Sequence, residues 1–290
     1  MSAIAGQDAI GGGTTARKRR RMPVSVLLAA IFAVLVVGLA IFGPLLAPHD
    51  PAAQSLQTGV IGPTSDHLLG TDHLGRDILS RVMAGARDAV IGPAIIAISA
   101  TVISLVFGII AGYRGGVVEA VVLRVGDLMY AVPAILVSIV VIGVLGGGYY
   151  LAVAVLVLLS VPADTRVVRA AVLSERHLPY IEAGQTLGLS RWRIMTVHIL
   201  PNVMPTAVAI ALLEFVYGLI TLSSLSFLGL GAEAGSPEWG RMLADNRTLL
   251  AENPNAALAP ALLIMATAAA VMLLGDWIYD RVSEESTTRD

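Results

Sequence analysis

Long apolar runs separated by shorter polar connections set the pattern of this chain. Val24 to Ala47 is unbroken and longer than the ~20 residues a helix needs to cross a bilayer. A second span is predicted from Ala89 to Gly112. The run from Leu128 to Ala163 is too long for one crossing, and Gly146-Gly147-Gly148 divides it into spans three and four. Span five is predicted over Val203 to Leu228 and span six over Ala256 to Ile278. Six spans return the C-terminus to the side of the N-terminus. The polar connections then fall at 48–88, 164–202 and 229–255. The middle one has a helical pattern of its own. Tyr180, Ala183 or Gly184, and Leu187 share one face at helical spacing, and Gly184 and Gly188 form a bald i,i+4 stripe. Trp192, Met195 and Ile199 mark a second amphipathic segment after the Gly188-Leu189-Ser190 break. Two short helices with a bare stripe suit a knob that another protein grips closely.

Composition agrees with a polytopic membrane protein. The chain is 56% hydrophobic and only 14% charged, which excludes an ordinary soluble domain. No cysteine is present, so disulfides and thiolate metal sites are excluded. The net charge of -2 decides nothing, but its distribution does. Residues 1–22 read as a disordered basic tail ending in Arg17-Lys18-Arg19-Arg20-Arg21, a positive-inside anchor rather than a nucleic-acid contact. Val24 to Ala47 is too long for a cleaved apolar region, and no A-x-A site follows it. Arg114, Arg124, Arg166, Arg169, Arg176, Arg191, Arg193, Arg281 and Arg289 fall on the tail's side. Only Arg76, Arg81, Arg87, Arg241 and Arg247 fall opposite. This bias predicts cytoplasmic termini and a cytoplasmic 164–202 connection, with 48–88 and 229–255 as outer loops. Residues 23–280 form the membrane domain and 281–290 a cytoplasmic tail. Lys18 is the only lysine, and it does not follow the glycines of a phosphate-binding loop. Any nucleotide that drives this protein must bind another chain.

Three stretches carry a family resemblance. Glu182-Ala183-Gly184, Gly188 and His198-Ile199-Leu200-Pro201-Asn202 resemble the EAA loop of ABC-importer permeases, with Gly184 in place of the usual second alanine. His67-Leu68-Leu69-Gly70-Thr71-Asp72-His73-Leu74-Gly75-Arg76-Asp77 is similar to the signature after the first span of the C-type permease in peptide, opine and nickel importers. Ser224-Leu225-Ser226-Phe227-Leu228-Gly229-Leu230-Gly231, with Pro237-Glu238-Trp239-Gly240, is similar to that subunit's end of span five. The resemblance implies an all-α, type I importer fold with six transmembrane helices in a bacterial cell membrane. It implies one half of a pore for dipeptides, oligopeptides or related solutes. The implied partners are a homologous B-type permease, two ATPase subunits (identical, different or fused), and an extracytoplasmic binding protein. ATP and Mg would be held by the ATPases, and no cofactor by this chain. Tyr180, Glu182, Ala183, Gly184, Leu187 and Gly188 are then the ATPase-coupling residues.

Other polar residues suggest chemistry on their own. Glu214 lies within span five, where a carboxylate faces a partner or a water-filled path. Thr221, Ser223 and Ser224 are candidates for lining the same path, although such residues also serve close packing. A stand-alone secondary transporter or channel using Glu214 is the alternative, but such folds usually show more spans in visible halves. Asp127 is expected to pair locally with Arg124. His67, Asp72, His73 and Asp77 sit in turns; they read as capping residues, Asp77 leading into Ile78 to Ala84, and none is assigned to a metal. No Gly-x-Gly-Asp, Gly-x-Ser-Gly or His-Glu-x-x-His stands in a span, which argues against an intramembrane enzyme.

Overall fold

The computed structural model describes residues 22–287, so nearly all of the predicted 1–22 tail lies outside the described residues. The described chain is helical without strands. Its helices are α1 (Val24–Leu46), α2 (Ile78–Arg114), α3 (Gly116–Tyr130), α4 (Ala134–Leu145), α5 (Tyr149–Glu175), α6 (Pro179–Thr186), α7 (Arg191–Phe227), α8 (Trp239–Asn246) and α9 (Asn255–Thr287). Among them α1, α2, α5, α7 and α9 are long and apolar enough to cross a membrane. The pair α3 and α4, bent by 78°, is long and apolar enough for a sixth only when taken together as one broken span. The bend falls at Ala131-Val132-Pro133, where proline lacks the N–H and its ring disfavours a helical preceding residue.

The long central helix is α2. It starts at Ile78, well before the predicted Ala89, because Asp77 caps it as expected: its Oδ2 accepts from Ser80 N at 2.8 Å and Ser80 Oγ at 2.6 Å. The polar first turns of α2 are covered by protein. Arg81 is buried and donates to the carbonyls of Pro51, Gly235 and Ser236. Further along, Gly108 and Gly112 lie directly against Val168 and Val172 of α5. A Cβ on either glycine would sit 2.6 or 2.8 Å from those valine side chains, so only a small-xxx-small ridge allows the crossing.

Helix α5 continues to Glu175, so the predicted 164–202 connection begins inside a helix. Its charges are held by α3: Arg166 Nη2 lies 2.5 Å from Asp127 Oδ1, and Arg169 pairs with Glu119. Arg124 stands 4.0 Å from Asp127, so the closer partner is Arg166 and not the local one expected. Helix α7 starts at Arg191 rather than Val203. It contains a π-helical turn over Ile194–Ile199, with Leu200 N donating to Met195 O. That wider turn directly precedes Pro201, which has no N–H to offer a regular ladder. The predicted 229–255 connection contains α8, and α9 runs past Ile278 into the predicted tail.

The core is three apolar clusters along the bundle. Ile78, Val82, Ala86, Trp239 and Met242 pack at the α8 end. Ile96, Ile142, Leu156, Leu222 and Leu225 fill the middle. Ile109, Val172, Ile181, Ile194 and Ile199 pack at the α6 end.

Candidate functional site

Helix α6 is a short outrigger at one end of the bundle. Pro179 opens it, its fixed φ suited to a first turn. Ile181 anchors it, 1% exposed, among Val168, Val172, Ile194 and Ile199. The helix stops at Thr186 through a paired C-terminal bond set: Leu189 N donates to Gly184 O at 3.0 Å, and Gly188 N to Gln185 O at 3.0 Å. Gly188 has φ +77°, the left-handed conformation that this cap requires. Gly184 is buried, with Leu189 Cδ1 3.3 Å from where its Cβ would be.

These facts correct the expected bald stripe. Gly184 faces inward and Gly188 has left the helix, so the two glycines share no docking face. They make the chain reverse. The face turned outward consists of Tyr180, Ala183 and Leu187, with Glu182 beside it, and Leu187 is 81% exposed. Tyr180 also braces α6. Its hydroxyl donates to Glu175 Oε2 at 2.6 Å and accepts from Asn202 Nδ2 at 2.7 Å, joining α5 and α7. Glu182 lies in the first turn, where the helix dipole favours an anion. It borders a cleft of about 480 Å³ whose other walls carry Arg114, Arg176 and Arg191.

The second candidate group lies between α5 and α7. Glu214 is half-buried and sits against Asp164 and Ser160 of α5. Buried oxygens of all three (Glu214 Oε2, Asp164 Oδ2 and Ser160 Oγ) lack a well-formed hydrogen bond. Arg166 stacks over the Tyr130 ring next to them, 4.7 Å from its centroid. Carboxyl groups gathered inside a membrane bundle are costly and mark function. Sequence reasoning missed Asp164, which it placed at the start of a loop. Its signal was Ser160 one helical turn earlier.

The structure does not bring the remaining candidates together. Thr221, two turns on from Glu214, shares its face and is buried. Ser223 is on the opposite face, under α8, where a Cβ at Gly240 would come 2.2 Å from the Ser223 carbonyl oxygen. Ser224 Oγ donates back to Ile220 O at 2.7 Å, and both serines border an apolar groove with Phe227 and Leu228.

Residues 104–284 match the family described as the binding-protein-dependent transport system inner membrane component. Residues 16–61 match the N-terminal TM domain of oligopeptide transport permease C. The glutathione transport system permease protein GsiD of Pectobacterium atrosepticum is 35% identical over 266 residues, 91% of this chain and 88% of the relative. The di/tripeptide transport system permease protein DppC of Pseudomonas aeruginosa is 35% identical over 260 residues, 86% of this chain and 84% of the relative. The probable D,D-dipeptide transport system permease protein DdpC of Escherichia coli K12 is 32% identical, over 89% and 86%. In fold, the chain is similar to the MetNI methionine ABC transporter solved in inward-facing conformations. The TM-score is 0.55 at 19% identity, over 70% of this chain and 96% of that one.

Proposed function

The chain belongs to the binding-protein-dependent transport system inner membrane components, and on that premise we propose that it forms half of the pore of an ATP-driven importer of small peptides. It is a multi-pass inner membrane permease subunit of the C-type peptide-transporter kind, with the type I importer fold, and it is not an enzyme. The substrate class rests on relatives whose names specify glutathione, di/tripeptides and D,D-dipeptides. A homologous permease completes the pore, ATPase subunits bind the nucleotide, and a binding protein delivers the cargo. The termini and α6 face the cytoplasm by the arginine bias. A stand-alone transporter built on Glu214 is not favoured, because the relatives are subunits of multi-protein transport systems.

The observation that carries the coupling role is the outward face of α6. Leu187 stands 81% exposed on a helix whose other side is locked into the core through Ile181. An exposed apolar anchor next to an ionisable Glu182 and an arginine-walled cleft fits a protein partner rather than solvent. Force applied at α6 reaches the membrane through Tyr180, which grips both α5 and α7. Those two helices carry Asp164 and Glu214, so the dock and the carboxyl pair move on the same levers. The pair is proposed to line the peptide path, where it would meet the substrate's amino group.

The test is uptake by the reconstituted transporter. Leu187→Asp should lower uptake and substrate-stimulated ATP hydrolysis by about tenfold or more, while the membrane pair still assembles. Asp164→Asn with Glu214→Gln should lower uptake while ATPase subunits still bind. Normal uptake with Leu187→Asp would refute the docking role.

A further inference from the structure

The connection between α1 and α2 holds a cluster that the transport reading does not use. His49 follows α1, and Asp66 and His67 lie far along the same connection. The structure brings ligand atoms of all three within 4.8 Å of one another. Asp66 stands between the two rings: Oδ1 is 3.6 Å from His49 Nε2, and Oδ2 is 3.7 Å from His67 Nε2. Four-coordinate zinc with bonds of about 2.0–2.2 Å separates neighbouring ligand atoms by roughly 3.3 Å. Each Nε2 is within a few tenths of that spacing from one Asp66 oxygen, and with all three ligand atoms inside 4.8 Å the side chains need only draw in slightly to close on one ion.

The inner side of the cluster is also built for a metal. Both histidines turn Nδ1 toward the buried carboxylate of Asp77. His67 Nδ1 lies 2.9 Å from Asp77 Oδ1, and His49 Nδ1 lies 3.9 Å from Oδ2. An Nδ1–H donated to Asp77 fixes the tautomer of His67 and leaves its Nε2 lone pair facing Asp66. That carboxylate–histidine arrangement is the usual outer support of a metal ligand. Asp77 is itself held by Ser80 N and Ser80 Oγ, and Ser80 Oγ accepts from the backbone N–H of His49. The support is therefore the N-cap of α2, a rigid element.

We propose that His49, Asp66 and His67 bind one zinc-class divalent ion, with Asp77 positioning the His67 imidazole. Two neutral imidazoles and a carboxylate suit zinc better than calcium or magnesium, which prefer oxygen ligands alone. Three protein ligands leave the fourth position to solvent or an incoming chelating group. The ion clips the two ends of the 49–67 loop together and ties them to the start of α2. The sequence concealed the site because His49 is remote from the other two ligands, and the nearby Asp72 and His73 do not take part. Asp72 is committed to Arg76 and Arg81.

The test uses the full-length chain in detergent, without a polyhistidine tag, stripped with chelator and titrated with ZnCl2 by calorimetry. Wild type should bind one equivalent with micromolar or tighter affinity and unfold at a higher temperature with zinc. His49→Gln and Asp66→Asn should each weaken binding about tenfold or more and abolish the thermal shift. Asp66 is mostly exposed, so its variant tests the site without endangering the fold. His73→Gln should bind as wild type does. Failure of the wild type to bind would overturn the proposal. So would equal binding by Asp66→Asn and His49→Gln, or loss of binding in His73→Gln.

Discussion

At the end of the bundle that carries α8, charged and aromatic groups are buried and bonded to other parts of the same chain. Asp72 accepts from Leu74 N, Arg76 N and Arg76 Nε, and Arg81 reaches carbonyls on two separate loops. Trp239 is fully buried and donates Nε1 to Val82 O at 2.9 Å. At the end that carries α6, the corresponding groups point outward. Tyr180, Glu182 and Leu187 are exposed, and within α6 only Ile181 and Gly184 are buried. The first end is held together by contacts within the chain. The second resembles half of an interface, with a rigid inner side and an apolar outer side. The coupling role proposed for α6 requires this asymmetry: the coupling end must stay open to be gripped, and the other end must hold its shape.

The comparison breaks most readily at Trp239. Trp239→Ala removes a fully buried ring and its hydrogen bond and should cost about 3–5 kcal/mol, seen as a lower unfolding midpoint in detergent. No exposed α6 residue should approach that loss. Gly188→Val comes next. It forces a β-branched residue into the left-handed cap and should cost about 1–2 kcal/mol, with α6 opening locally in hydrogen exchange.

A pH titration separates the two ends in a third way. Glu238 caps α8, its carboxylate accepting from Gly240 N and Arg241 N. Burial nevertheless raises its pKa from 4.5 to about 7, and those two donors oppose the rise. The folded chain thus holds this proton between about 4.5 and 7, where the unfolded chain has released it. The stability from this group is complete below 4.5 and is lost as pH rises through 7. The unfolding midpoint should fall over that window, and Glu238→Gln should flatten the decline. The smallest effect should be that of Leu187→Asp on stability, within about 0.5 kcal/mol, because the side chain touches solvent.

The two ends also differed in how legible they were. Spans were readable wherever lipid covers the helix, because a run such as Val24 to Leu46 has to be apolar throughout. The start of α2 was not readable. Arg81, Arg87 and Asp88 look like loop residues, and only the fold reveals that Arg81 is covered by the loops before and around it. Asp164 and Arg166 misled in the same way, since their partners lie on other helices. The motif around Glu182 was legible, but its geometry was not. Two glycines four apart look alike whether they bare a helix face or close a helix end. Here the bare ridge is Gly108 and Gly112 against α5, and the closure is Gly184 and Gly188.

The chain contains no cysteine, so single thiols can be placed at both ends and read independently. Leu187→Cys on α6 and Leu56→Cys on the α1–α2 connection replace side chains that are 81% and 75% exposed. The decisive measurement is the maleimide labelling rate of each, in the membrane pair alone and after ATPase subunits are added. Labelling at 187 should slow about tenfold or more on addition, while labelling at 56 stays unchanged. Equal labelling at 187 with and without the ATPase subunits, or protection at 56 instead, would contradict the assignment of α6 as the dock.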